Sequence, residues 1–308
     1  MNTKAYKKDF SGIGIRMLIS TAVILLLQIG MQRFALTLFP HWQDNLTILL
    51  AVTMVPLYVL GFPFSFFLMR NKDVPSMEKH TMTAGQLAVS FIMCYGIMIV
   101  GNLIGLGVTA GIGLLKGSPV QNTLLNVITG GSLWVTAIFT VLCAPVFEEI
   151  LFRKLICDKV IKYGEGCAVV LSGLIFGLFH MNFNQFFYAF FLGCFFAFIY
   201  VKTGNLKYTV LLHMTINFFG SVLGVIIMTL DQTKTYVVAI SVIYSLCVCG
   251  MAIAGIVLLI VKRHSLTFAP GEIVIEKGQR FKTIILNAGM ILYCLVLLAS
   301  MFAQAFFA

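Results

Sequence analysis

Charge is what this sequence has least of. Only 10% of its 308 residues are Asp, Glu, Lys or Arg, against roughly 25% in a soluble domain. With 60% hydrophobic residues and a mean hydropathy of +0.99, that scarcity excludes an ordinary soluble enzyme. A net charge of +10 would suggest nucleic acid if the basic residues clustered on a polar domain. They fall instead in short segments between apolar runs, so nucleic acid is not expected as a partner. No zinc-type CxxC pair, internal repeat or low-complexity tract occurs. No cleavable signal peptide is evident either, since the apolar stretch from near Ile13 is long enough to stay as a first span. The longest polar stretch, Lys262–Lys282, has room for a short hairpin or surface loop but not for a domain. Eight cysteines lie in or beside apolar segments; the expectation is buried free thiols that pack as small hydrophobes.

What is present is apolar sequence in span-sized pieces. A membrane helix needs about 20 apolar residues. Nine segments qualify: 13–38, 46–68, 84–114, 123–147, 167–181, 185–201, 208–230, 236–261 and 283–306. The fifth and sixth are short and separated only by Asn182 to Gln185, so they could form one broken unit and leave eight spans. The fold expected is an all-α polytopic membrane bundle in one domain, 1–308. With the N-terminus inside, the inner segments hold all but three (Arg33, Lys116 and Lys234) of the 21 basic residues. The positive-inside rule then predicts nine spans, a cytoplasmic N-terminus and an extracytoplasmic C-terminus. Gly101, Gly105, Gly107, Gly111 and Gly113 read as close helix packing.

Ionisable groups at membrane depth are costly and usually functional. Glu148 and Glu149 close the run 123–147, and Arg153 follows. Arg153 is four residues after Glu149, nearly on the same helix face, and can pair with it. Glu148 is then left to face the bundle interior. Just before, Ala144-Pro145 interrupts the helix ladder and frees a carbonyl, which in a membrane calls for polar or hydrated surroundings. His180 lies four residues after Phe176, and Asn217 four after His213; each pair shares a face. Glu148 and His180 are each about 22 Å of helix from the Tyr163–Gly166 turn, so an antiparallel hairpin would set them side by side. Taken singly, each histidine could be an interhelical hydrogen-bond partner, and the glutamates a solvated rim. All four polar sites at one depth point to an active site.

The ordered set Glu148-Glu149-x-x-x-Arg153, Phe176-x-x-x-His180 and His213-x-x-x-Asn217 resembles the CPBP (ABI, or CaaX-protease-like) intramembrane endopeptidases, which include the type II CaaX prenyl endopeptidases. Ala144-Pro145, Ser172-Gly173 and Thr203-Gly204-Asn205 before the three motifs strengthen the likeness. It covers about 140–220, the expected catalytic core, with 1–122 and 221–308 as flanking transmembrane helices. Other intramembrane protease patterns are missing: there is no HExxH, no GxGD, and Gly130-Gly131-Ser132 is followed by leucine.

The resemblance implies that Glu148 and His180 activate a water for attack on a peptide bond, that His213 and Asn217 stabilise the oxyanion, and that Glu149, Arg153 and Phe176 support them. A carboxylate in a low-dielectric cavity can serve as general base, and fixed donors facing an oxyanion there act strongly. No cofactor is expected; zinc on Glu148, His180 and His213 is the alternative. The partners implied are the bilayer and a membrane-associated peptide or protein substrate, in a bacterial plasma membrane. Two rival functions remain: a non-proteolytic scaffold or regulator, for example in bacteriocin immunity or surface-protein regulation, and a proton-coupled transporter. A scaffold would tolerate loss of Glu148.

Overall fold

The computed structural model of the protein describes residues 3–39, 41, 45–70, 77–122 and 132–307. The architecture is all-α, with no strand among the described residues. Eight helices are long and apolar enough to cross a bilayer: α1 (Lys4–Leu38), α2 (Thr47–Met69), α3 (Ala84–Lys116), α4 (Leu133–Tyr163), α6 (Phe183–Thr203), α7 (Leu206–Thr229), α8 (Thr235–Val261) and α9 (Ala288–Phe307). Between α4 and α6 lies the shorter apolar helix α5 (Glu165–Phe179). The expected beginning of the fourth span, 123–131, lies outside the described residues.

One boundary differs from the sequence expectation. Helix α4 does not stop at the glutamates but runs on to Tyr163. Its polar residues are neutralised in place: Glu149 meets Arg153, Lys154 meets Asp158 at 2.6 Å, and Leu151, Phe152, Ile156 and Cys157 fill the buried face between them. Glu148 and Glu149 are thus mid-helix. The fifth and sixth segments are separate helices, as expected, and do not form one broken unit. They part at His180–Asn182, where Met181 takes the left-handed conformation (φ 51°) and Asn182 caps α6 by accepting from Gln185 N.

Three tight connections bring α4, α5, α6 and α7 together. Gly164, at φ 106°, turns α4 back onto α5, a backbone state that L side chains rarely adopt. Across this hairpin the Ser172 hydroxyl donates to Phe152 O at 2.8 Å, and the rings of Phe152 and Phe176 lie 5.1 Å apart. Residue 152 thus faces residue 176. One helical turn further along both arms are residues 148 and 180, so the antiparallel pairing places Glu148 opposite His180. Gly204, left-handed at φ 57°, ends α6, and Asn205 caps α7. Helix α2 walls the group through Tyr58, Phe62 and Phe66, whose rings pack on Phe147.

The basic segments gather on one face of the bundle. Lys162 pairs with Asp9 at 2.7 Å, Lys202 with Glu165, and His80 N donates to Thr203 O at 2.8 Å. The 262–282 stretch is a strap folded back onto this face, held by Glu165 N to Ala269 O (3.1 Å) and Ile273 N to Lys162 O (2.9 Å). The first and last helices start together here: Gly289 N donates to Ser11 Oγ at 2.9 Å, and Gly14 packs directly on Gly289. At the other face, Lys116 Nζ at the end of α3 donates to Ala305 O. α1 and α9 therefore run parallel, and their far ends lie opposite the start of α1.

Of the five glycines expected to pack, all of them in α3, Gly101 abuts the Tyr188 backbone and Gly105 the Phe183 carbonyl, both on α6. Gly107 and Gly111 meet nothing, so the packing role belongs to the first two. All eight cysteines are free thiols. Cys94 and Cys157 are buried as expected, but Cys247 and Cys249 are exposed on α8, one of the bundle's least enclosed helices.

Candidate active site

The site is built around a disturbed stretch of α4. Residues Ile138–Cys143 are π-helical, and Ala144 N–H bonds back five residues to Phe139 O. The next carbonyl, that of Thr140, would have residue 145 as its π partner, and Pro145 has no N–H. Thr140 O is therefore free of the ladder, and the Asn217 side-chain amide of α7 donates to it at 2.7 Å. This is the carbonyl that the proline was expected to release. Asn217 itself begins a second irregular stretch, the π-helical Phe218–Leu223, where Phe219 O accepts from the Tyr244 hydroxyl at 2.7 Å.

One turn along α4, the two glutamates have different surroundings. Glu149 is fully enclosed, and its carboxylate is divided between two partners. Oε1 accepts from His213 Nδ1 at 3.0 Å, and Oε2 lies 3.0 Å from Arg153 Nε. The second contact is off-axis: none of the Arg153 nitrogens has an aligned hydrogen bond. Arg153 is held by charge and by ring faces, with its guanidinium carbon 4.7 Å from the Phe176 centroid and 5.6 Å from that of Phe196. Glu148 has no such engagement. Its Oε2 is 3.8 Å from His213 Nε2, too long for a hydrogen bond, and its side chain keeps 13% of its exposure.

Phe176 is the hub of the site. One face receives Arg153, and both histidine rings stand edge-on to it, His180 at 4.9 Å and His213 at 5.9 Å. His180 closes α5, and its Nδ1 is 2.9 Å from Phe176 O. A carbonyl only accepts, so the proton sits on Nδ1 and Nε2 is the free nitrogen. The loop after His180 is tied down. Asn182 Nδ2 donates to His180 O and to Gln185 Oε1, both at 2.7 Å, and Gln185 Nε2 donates to the Tyr188 hydroxyl at 3.0 Å.

The structure thus gathers Glu148, Glu149, Arg153, Phe176, His180 and His213 around one ring. Asn217 lies a turn beyond His213 with an amide hydrogen committed to Thr140 O. His213 contacts the glutamates rather than sitting apart from them with Asn217. Sequence reasoning missed Phe196, which closes over Arg153 and His213 (5.3 Å), as well as Thr140 and Asn182. Phe196 is one of many phenylalanines in α6 and carries no local signal. Asn182 did have one, as a polar residue two positions after a motif histidine and just before an apolar run.

Among the described residues no three His, Cys, Asp or Glu side chains converge as ligands; His213 Nδ1 is engaged by Glu149 and His180 Nδ1 by a carbonyl.

Residues 130–219 match the family model described as type II CAAX prenyl endopeptidase Rce1-like. The chain is also similar to a curated Bacillus subtilis (strain 168) protein named "Putative membrane peptidase YdiL", at 29% identity over 125 residues. That stretch is 40% of this chain and 48% of the relative, so the chain spans about half the length of the curated relative it matches. No solved structure matches the chain.

Proposed function

We propose that the chain is an intramembrane endopeptidase of the CPBP, or CaaX-protease-like, family acting on a membrane-associated peptide or protein, a reading supported by the match of residues 130–219 to the Rce1-like model and by the likeness to the Bacillus subtilis protein. One observation carries the reading: of two adjacent glutamates, Glu149 is consumed by Arg153 and His213, while Glu148 is left beside His213 Nε2 with its carboxylate available. A purely structural role would not require the second carboxylate in this enclosed setting, where an unengaged charge is costly.

In the proposed reaction, a water between Glu148 and His180 Nε2 attacks the scissile carbonyl. Glu148 takes the water proton as the new C–O bond forms, and later passes it to the departing amine as the C–N bond breaks. Glu149 orients His213 through Nδ1, so that Nε2 faces the reacting centre. His213, acting as the imidazolium with an N–H on each ring nitrogen, and the second amide hydrogen of Asn217 stabilise the oxyanion. Arg153 fixes Glu149 and Phe176 together, which holds both histidines at set positions. The N-terminal face, where the basic segments gather, is assigned to the cytoplasm.

The test is a comparison of peptides released from membranes carrying the wild-type chain and membranes carrying His180→Ala. Products that appear with the wild type and vanish with the variant are the expected result; identical peptide profiles would remove the protease reading. We propose that the reaction runs without a metal, zinc on Glu148, His180 and His213 being the alternative. Active purified enzyme is expected to hold less than stoichiometric zinc and to survive chelators. One zinc per chain, lost in parallel with activity, would overturn that part of the mechanism.

A further inference from the structure

The N-terminal face carries a second cavity of about 1280 Å³, separate from the active site and framed by the start of α1, the end of α2, the α4–α5 turn and the 269–272 part of the strap. Its lining mixes acids and bases, but the acids are already taken. Asp9 accepts from Lys162 (2.7 Å) and from the Tyr163 hydroxyl (2.8 Å). Asp158 accepts from Lys154 (2.6 Å) and from the Tyr200 hydroxyl (2.8 Å). Glu165 accepts from Lys202 (2.5 Å) and Ala269 N (2.7 Å). Two of these neutralising cations, Lys154 and Lys202, stand outside the cavity. The lining is therefore left with surplus positive charge.

Lys8, Arg16, Arg70 and Lys159 supply that surplus. None of the four has a carboxylate within ion-pair distance among the described residues, and Glu272 on the rim is the remaining acid. Arg70 rests its guanidinium face on Phe67, 4.6 Å from the ring centroid, which leaves its N–H edge free. Lys159 feels the like charges of Arg16 and Lys162 as well as the opposite charge of Asp9, itself already held by Lys162 and Tyr163. Cations drawn from three helices and directed into one cavity repel each other unless an anion joins them. Basic loop residues are ordinary on such a face; their convergence on a cavity whose acids are already paired is not.

The level of the cavity says what kind of anion. Arg70 follows the last residue of α2, and Lys159 and Lys162 are in the last turn of α4, so the cations stand where the apolar spans end. Ile15, also in the lining, is 45% exposed and supplies an apolar flank. We propose that this cavity binds the phosphate of an anionic phospholipid headgroup, with the lipid chains lying along the α1 flank. Basic pockets between helices at an interface bind such headgroups.

The experiment uses the purified full chain in mild detergent, with thermal unfolding followed during titration with dioleoylphosphatidylglycerol, dioleoylphosphatidylcholine or millimolar inorganic phosphate. The anionic lipid is expected to stabilise the chain and the zwitterionic lipid not to. Arg16→Gln with Lys159→Gln is expected to weaken the half-saturating lipid concentration roughly 25-fold, about fivefold per basic residue removed. Lys277→Gln, an exposed change on the same face away from the cavity, should leave it unchanged. Should Lys159→Gln disturb folding, Lys8→Gln with Arg16→Gln, both exposed, tests the same cavity. Protection by inorganic phosphate equal to that by the anionic lipid would keep the site but assign it to free phosphate. Equal response to the two lipids, or an equal loss with Lys277→Gln, would overturn the site.

Discussion

Glu148→Gln is expected to lower peptide-bond hydrolysis by about 10³-fold, the middle of the range for removing a general base, and to leave thermal unfolding close to wild type. The substitution keeps the side-chain volume and removes only the ability to take a proton. Folding should tolerate it because Glu148 makes no hydrogen bond to the surrounding helices; its nearest ionic neighbour, His213 Nε2, is 3.8 Å away. His213 remains anchored by Glu149 through the other ring nitrogen. Glu148→Asp should retain part of the activity, since the carboxylate survives but is drawn back by one methylene. The measurement pairs a cleavage assay on purified protein with a melting curve. A fully active glutamine variant would exclude Glu148 as the base, and a variant that melts far below wild type would mean that the carboxylate is structural.

Much of this site could be read from residue spacing. The Glu149–Arg153 pair follows from the helical period alone, because residues four apart share a face. Nearly equal arms about a glycine turn set residues 148 and 180 at one level of the hairpin. What spacing could not show is how the α4 ladder is rearranged. The π-helical stretch before Pro145 depends on a donor from another helix, since Thr140 O needs the Asn217 amide once the proline withholds its own. That dependence also gives Asn217 a partner that the shared face with His213 did not suggest. The continuation of α4 past the glutamates was hidden for a related reason. A run containing Arg153, Lys154 and Lys159 looks like a loop until Arg153 is seen to meet Glu149 and Lys154 to meet Asp158. The position of Phe196 is set by how α6 crosses the hairpin, a tertiary fact with no local imprint in a phenylalanine-rich helix.

Arg153→Met is expected to destabilise the chain by about 3–5 kcal/mol, because it strands a fully enclosed Glu149 without its counter-charge. Glu149→Gln should cost a similar amount from the other side: Arg153, fully enclosed and without an aligned hydrogen bond, would keep only the faces of Phe176 and Phe196. Two ring faces offer about 2 kcal/mol each when desolvated, which does not replace a carboxylate 3.0 Å away. The double variant Glu149→Gln with Arg153→Met removes both charges. It should recover most of the lost stability, since an enclosed ion pair exchanged for groups of similar volume is often neutral. Activity should not recover with it. His213 Nδ1 would then meet a neutral amide instead of the carboxylate, and its Nε2 would lose the orientation toward Glu148. Thermal unfolding of the three variants beside their cleavage rates separates the two roles. Single variants that melt low with a double variant that melts near wild type but cleaves poorly would place the pair in both the fold and the orientation of His213. A double variant less stable than either single would mean that Glu149 and Arg153 are held by interactions other than their charges.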